Sequence, residues 1–470
     1  MDKDRFKDFD EEERQLVLDF ENTVLRGGQR FFDVDELEVI MDYYFEVNDI
    51  APLERAVEYA EQLYPDSTVV KLRRAHLLIA KEQFDDALRI IKALRRQEPD
   101  NTDVAYSLGV AYGAVGEHEK AIELFMEAAA DGWLLGRVYA NMAEEYYLMD
   151  NYEEAIRYYQ LSLDTDSYDS ATIYNYVDTA IRAHAVDEAV AYIKSFVEEH
   201  PYSSEGWHCL GNLYRELGLF EKAIDAYEYA IAIDKTNFSA YTDLSSTLEF
   251  MGQTADAVTA LLRARDYAPS RSVLYRMVAN IYMNAENHDL ALIYYRKSVE
   301  ENPSDPNALA ALAMAYVLTG ESGSAMPLIR AALRQAPDSA EVLFSAAVIY
   351  DIIDNFEAAS DYFERTMMSD DCTELMCQRY TQFLYKHKVY DILIQFAEES
   401  LELYPQSPFY STYLTAAYFY TNRYNSASQM LPYVNAEALA ELCPEIVQHP
   451  RLSPLVPRQL PKDDSSFSDN

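Results

Sequence analysis

Cysteine, histidine and carboxylate side chains hold metals, attack carbonyls or move protons, and this 470-residue chain has 4 Cys, 8 His and 80 Asp and Glu. Their spacing argues against such chemistry. Cys372 and Cys377 are separated by four residues, and no histidine pair with zinc-finger spacing accompanies them. Cys209 and Cys443 stand alone, so small thiols in a packed interior are the simpler reading. The histidines, His76, His184, His208 and His288 among them, never cluster. Gly109-Val-Ala-Tyr-Gly113-Ala-Val-Gly116 looks like a phosphate loop, but its glycines fall on positions of a longer repeat described below. The chain has no Walker motif, no nucleophile elbow and no paired-histidine protease motif. A non-enzymatic protein is expected, with no cofactor and no bound metal.

The composition narrows the partners. The formal net charge of −41 repels nucleic-acid phosphate and anionic lipid, while 49 % apolar residues suffice for a packed interior. Neither nucleic acid nor membrane insertion is therefore expected. Met1 to Arg14 lacks the apolar core of a secretory signal, and no apolar run of about 18 residues could span a bilayer. A cytoplasmic location is expected, in keeping with few, scattered cysteines. Glycine is scarce at 13 and tyrosine abundant at 39.

The residues that matter are positioned by a period. Trp207, Leu210, Gly211, Tyr214, Ala223, Tyr227 and Ala230 return as Tyr241, Leu244, Ser245, Leu248, Ala257, Leu261 and Ala264 after a step of 34. Taken along the chain, this step gives twelve repeats over 34–441, starting at 34, 68, 102, 136, 170, 204, 238, 272, 306, 340, 374 and 408. The twentieth position is alanine in ten of the twelve, with Leu53 and Leu393 the exceptions. Position eleven is tyrosine in eight, from Tyr44 to Tyr418, and position twenty-four is apolar throughout.

Each repeat reads as two amphipathic helices joined by a short turn. Small residues at the eighth and twentieth positions, such as Gly211 with Ala223, let the two helices approach. The fifteenth position holds Gly116, Gly218, Gly252 and Gly320, with Asn48, Asp150, Asp354 and Asn422 elsewhere, all types that tolerate a left-handed helix end. Pro65, Pro99, Pro201, Pro269, Pro303, Pro337 and Pro405 close second helices, and Ser67, Asn101 and Ser339 offer caps to the next.

This pattern resembles the tetratricopeptide repeat. The resemblance implies an all-α fold in which helix pairs stack into a right-handed superhelix, with the first helices lining a concave groove. Outside the repeats, Glu11–Leu25 reads as a capping helix within residues 1–33, as an open stack requires. Residues 442–470 hold the remnant of a terminal helix, and 461–470 a disordered tail.

In that family the groove is lined by positions two, five, six, nine, twelve and thirteen, which here carry 13 acidic and 7 basic residues. Repeats one to seven are net −7 at these positions and repeats eight to twelve net +1. The later repeats place Met314, Leu318, Phe344, Val348, Tyr385, Phe409, Tyr413, Phe419 and Tyr420 there, an apolar surface seldom left bare. A partner peptide or helix, a second copy of the chain, or its own segment 443–460 are the three coverings, unless part of this set is core at a wide helix interface. A second candidate is an amide ladder: Asn141 and Asn175 at position six, Asn212 and Asn280 at position nine, able to hold an extended backbone. Arg215 and Arg276 stand ready for carboxylates on such a chain. The paired lysines by which some relatives clamp a chaperone's C-terminus are absent: fifth positions read Glu38, Leu72, Tyr106, Ala140, Tyr174 and His208.

The expected function is a scaffold that binds a peptide or helix segment of a protein partner in its groove. The alternative is a sensor holding a small ligand or short signalling peptide there.

Overall fold

The computed structural model describes residues 11–456 apart from 27, 29, 133–134 and 166–169. The tail expected over 461–470 lies outside these. Among the described residues there are 26 α-helices and no strand. The chain divides into two compact units, Met1–Thr247 and Leu248–Asn470, with the boundary inside the helix Phe238–Phe250.

The turn inside each helix pair follows from one backbone device. Residues 48, 82, 116, 150, 184, 218, 252, 286, 320, 354, 388 and 422, spaced by 34, all have φ between 52° and 84°. The following amide donates to the carbonyl five residues back, as in Leu219 to Tyr214 (2.8 Å) and Asn355 to Tyr350 (2.9 Å), which satisfies a helix-end acceptor. Glycine, asparagine and aspartate serve at eight of these sites. Glu82, His184, Glu286 and Lys388 adopt the same conformation without such a side chain to mark it.

Between pairs, the helix Ile50–Leu63 stops before Pro65, and Ser67 accepts from the Val70 amide to start Thr68–Ala80. Asn101 caps Thr102–Ala114 in the same way, whereas Ser339 makes no side-chain bond at the start of Ala340–Ile352.

The interior of each pair is governed by the alanine at position twenty and the ring or aliphatic side chain at position twenty-four. Ala87, Ala121, Ala155, Ala223, Ala291 and Ala325 are fully buried. The close approach at position eight is made to position twenty-four: a Cβ added at Gly211 would lie 2.4 Å from the Tyr227 ring, and one at Gly109 would lie 2.7 Å from Phe125. Tyrosines at positions eleven and twenty-three stack in three pairs, Tyr146 on Tyr158, Tyr282 on Tyr294 and Tyr350 on Tyr362, at 5.4, 5.7 and 5.5 Å. Lysines flank others, as Lys92 and Lys120 do Tyr112. The tyrosine excess is therefore largely framework.

The first helix is Glu11–Asn22, followed by a 3-10 turn at Val24–Arg26. Its Val17 and Phe20 are fully buried with Phe32, Leu37, Ile40 and Tyr44. At the other end, Ala436–Leu442 is a short helix continued by the 3-10 segments Pro444–Gln448 and Ser453–Leu455.

Candidate functional site

The positions expected to line a groove lie on the first helix of each pair. In the N-terminal unit these faces are joined by polar contacts from one repeat to the next. Arg73, on Thr68–Ala80, donates to Glu38 (2.8 Å) and Asp42 (2.9 Å) on Val34–Glu46. Burial raises the pKa of both carboxyls, and the opposing Arg73 charge does not cancel it. His76 lies 3.0 Å from the Ser107 hydroxyl, and burial depresses its pKa to about 4. Further along, the Asn141 amide donates to the Tyr106 hydroxyl (2.8 Å) and to the Arg137 carbonyl. His208, 3 % exposed, sits between the Tyr174 hydroxyl (3.3 Å) and Asp243 (2.7 Å), and Arg215 donates to the same carboxylate (3.2 Å). Burial pushes Asp243 up, but the hydrogen bonds and charges of His208 and Arg215 outweigh it and hold the group below the usual carboxylate range.

Between the helices Leu135–Leu148 and Ser170–Arg182 a cavity of about 200 Å³ is lined by Glu144, Tyr147, Tyr159, Asn175, Asp178 and Thr179. Glu144 accepts from Tyr159 (2.9 Å), and Asp178 accepts from Tyr147 (3.3 Å) and Arg182 (2.9 Å). The arrangement offers carboxylate acceptors, an amide and aromatic walls, which suit a cationic or amide-bearing group.

The asparagine ladder separates into two kinds of residue. Asn212 accepts from Tyr227 (2.8 Å), and Asn280 accepts from Tyr295 (2.6 Å), so each joins position nine to position twenty-four of its own repeat. Glu144 and Tyr159 make the same link. Where position twenty-four is phenylalanine, Phe125 and Phe363, position nine is Val110 and Val348. The polar group at position nine thus supplies the acceptor that a buried phenol needs. Asn141 and Asn175, at position six, take no part in that link. Asn141 is tied to Tyr106 across the repeat boundary, and Asn175 lines the cavity.

In the C-terminal unit Arg276 donates to Glu341 (3.4 Å). Asp351, 5 % exposed, accepts from both Lys386 and His387 at 2.8 Å. Part of the apolar set is in contact with the chain's own end. Leu439, Cys443, Ile446 and Leu452, all 0–1 % exposed, share a core with Ala416 and Ala417, against which Tyr385, Tyr413, Phe419 and Tyr420 pack. The Tyr385 hydroxyl donates to the Leu442 carbonyl, and Tyr420 donates to Glu445 (3.0 Å). His449 lies against the rings of Phe419 and Tyr424 at 5.6 and 4.5 Å. Phe409 packs on Tyr413 (4.7 Å), Phe344 on Phe363 (6.2 Å), and Val348 is buried. Met314 is half-buried at the edge of the same core, whereas Leu318 stays 48 % exposed.

Sequence reasoning missed the contacts between repeats. Glu38–Arg73, Tyr106–Asn141, His208–Asp243, Glu249–Asn284 and Asp351–Lys386 are all 35 residues apart, one repeat plus one position. Scanning for complementary polar pairs at that spacing, rather than at 34, would have found them. It would also have shown that Asp243 is engaged before any partner arrives.

Four tetratricopeptide-repeat family models match the chain, at residues 72–133, 136–169, 204–237, 242–306 and 306–349, together about half of its length. A "TPR repeat-containing protein YpiA" of Bacillus subtilis is 22 % identical over 331 residues, 63 % of this chain and 78 % of that protein. The bovine "BBSome complex member BBS4" is 22 % identical over 316 residues, 67 % of this chain and 61 % of its own length. Among solved structures, an APC/C hetero-tetramer, Cut9–Hcn1, aligns over 86 % of this chain and 94 % of its own, with 13 % identity and a TM-score of 0.37. No helix among the described residues is long and apolar enough to cross a membrane. The period, the left-handed turn in every pair and the matched segments agree: this chain belongs to the tetratricopeptide-repeat family.

Proposed function

We propose that the chain is a non-enzymatic, cytoplasmic scaffold of twelve tandem repeats over 34–441, and that it holds an extended segment of a protein partner on its groove face. The observation that carries this reading is the polar lining of the N-terminal unit, above all the cavity of Glu144, Tyr147, Asn175 and Asp178. Asn175 addresses the partner's backbone, Asn141 adds only its side-chain oxygen because its amide nitrogen is held by Tyr106 and Arg137, and the excess of carboxylate selects lysine or arginine on the partner. Relatives that belong to named assemblies, such as the bovine BBSome member, support a role in protein assembly. Arg215 and Arg276 serve chiefly to pair with Asp243 and Glu341, and act on a partner's carboxylates only in exchange for those bonds. Of the apolar candidates, Tyr385, Phe419 and Tyr420 seat the C-terminal segment, Met314, Phe344, Val348 and Tyr413 belong to the core that it joins, Phe409 packs on Tyr413, and self-association is confined to what stays exposed, such as Leu318.

The test is calorimetry of the intact chain with extended peptides of equal length, one rich in arginine, one neutral and one acidic. The arginine-rich peptide is expected to bind more weakly as salt rises, and Asn175→Ala with Asp178→Asn should abolish the preference. Equal affinity for all three, or none, contradicts the reading. The cavity volume of about 200 Å³ favours one second reading, a small ligand or short signalling peptide; a thermal-shift screen that raises the midpoint in proportion to the logarithm of ligand concentration would identify it.

A further inference from the structure

Cys372 and Cys377 are brought together by the start of the helix Glu374–Lys386. Thr373 is its N-cap, and the Thr373 hydroxyl accepts from the Met376 amide (3.4 Å). Cys372 therefore holds the position before the cap and Cys377 the fourth helical position, the two sites whose side chains meet in a hydrophobic staple. Here the staple is made of two thiols, with the sulfurs 3.6 Å apart. Both ends of the loop are anchored: the Cys372 amide donates to Ser369 (3.1 Å), and the Cys377 amide donates to Thr373 (3.1 Å). The Met367 thioether lies 3.8 Å from Cys372 and walls the contact. Both thiols are half-buried, whereas Cys209 and Cys443 are fully buried and far along the chain.

We infer that Cys372 and Cys377 form a reversible dithiol–disulfide modification site that closes the first turn of this helix. The oxidant is a small-molecule disulfide of the glutathione class. The Cys372 thiolate attacks one sulfur of the oxidant, which releases one small thiolate and leaves a mixed disulfide on Cys372. Cys377 then gives up its proton, and its sulfur attacks Cys372 and expels the second small thiolate. Two protein thiols are oxidised, one external disulfide is reduced to two thiols, and the two protons leave with them. Burial and the neighbouring Cys372 push the Cys377 thiol up, which favours it as the resolving partner. In a reducing compartment such a bridge is transient and redox-responsive. The same helix ends in Tyr385 and Lys386, which hold Leu442 and Asp351, so the bridge fixes the start of the element on which the C-terminal segment rests.

The experiment incubates the full-length chain with oxidised glutathione at increasing ratio to reduced glutathione, quenches by acid alkylation, and digests with trypsin. Both cysteines fall in one peptide, Thr366–Arg379. The expected product is that peptide, unalkylated and lighter by two hydrogens, with Cys209 and Cys443 still alkylated. Cys377→Ser should accumulate glutathione on Cys372, and Cys372→Ser should leave Cys377 unmodified. A wild-type chain that stops at a glutathione adduct, or that links only to a second chain, overturns the inference. Equal adduct formation in the two serine variants overturns the assigned order.

Discussion

The two units share a framework and differ in what their first helices present. In the N-terminal unit, Arg73, Asn141, His208 and Arg215 are each spent on neighbouring repeats, and Asn175 lines a cavity of about 200 Å³ with Asp178, which accepts from Tyr147 and Arg182. In the C-terminal unit, Tyr385, Phe419 and Tyr420 meet residues 436–456 of the same chain. The difference teaches that a polar face and an apolar face need different coverings. Water satisfies the first set, so it can stay open for a partner. The second set loses free energy in water and is closed by the chain itself.

The largest expected effect comes from removing that closure. Leu439→Ala should destabilise the C-terminal unit by about 2–5 kcal/mol, the cost of emptying a fully buried leucine site. Urea unfolding followed by hydrogen exchange should show the loss over 340–456 and leave 34–240 unchanged. A uniform loss over both units would erase the distinction between them.

Next in size is the histidine of the polar face. His76 stays neutral in the fold to about pH 4, while the unfolded chain takes up its proton near pH 6.5. Between those values the unfolded state binds more protons. Stability therefore rises with pH and is lost as pH falls through this window, by up to about 3 kcal/mol. His76→Gln should flatten the pH dependence of the urea midpoint between pH 7 and 5 in the N-terminal unit alone.

The link from position nine to position twenty-four sharpens the comparison, because it occurs in both units. Asn212→Val removes the acceptor of the Tyr227 hydroxyl and should cost about 1–3 kcal/mol; adding Tyr227→Phe should recover most of it. Asn280 and Tyr295 should repeat the result in the C-terminal unit, by the same chemical-denaturation cycle. The smallest effect is at the turns: Glu82→Gly and Lys388→Gly, one in each unit, should each stabilise by about 0.5–1 kcal/mol, since glycine tolerates their φ of 59°.

The fold was legible because its determinants are local and periodic. Ala223, Tyr214 and Gly218 announce packing and turn within one repeat, and a step of 34 copies them. Glu82, His184, Glu286 and Lys388 show the limit of residue type: their left-handed backbone follows from the register alone. The site was less legible because a groove face is shared between repeats. Asn141 and Asn212 look alike as amides, yet Asn212 answers a phenol buried in its own helix pair, while Asn141 answers one in the preceding repeat. The covering of Tyr385 and Tyr420 was one of three open choices, because Leu439 and Ile446 reveal an apolar face but not what it meets.

Hydrogen exchange of the intact chain, with and without an arginine-rich extended peptide, tests the division between the units most directly. The account predicts that 436–456 is protected in the free chain and unchanged by peptide, while added protection falls on Leu135–Leu148 and Ser170–Arg182. Free exchange of 436–456, or peptide protection centred on Pro408–Tyr420 instead, would contradict it.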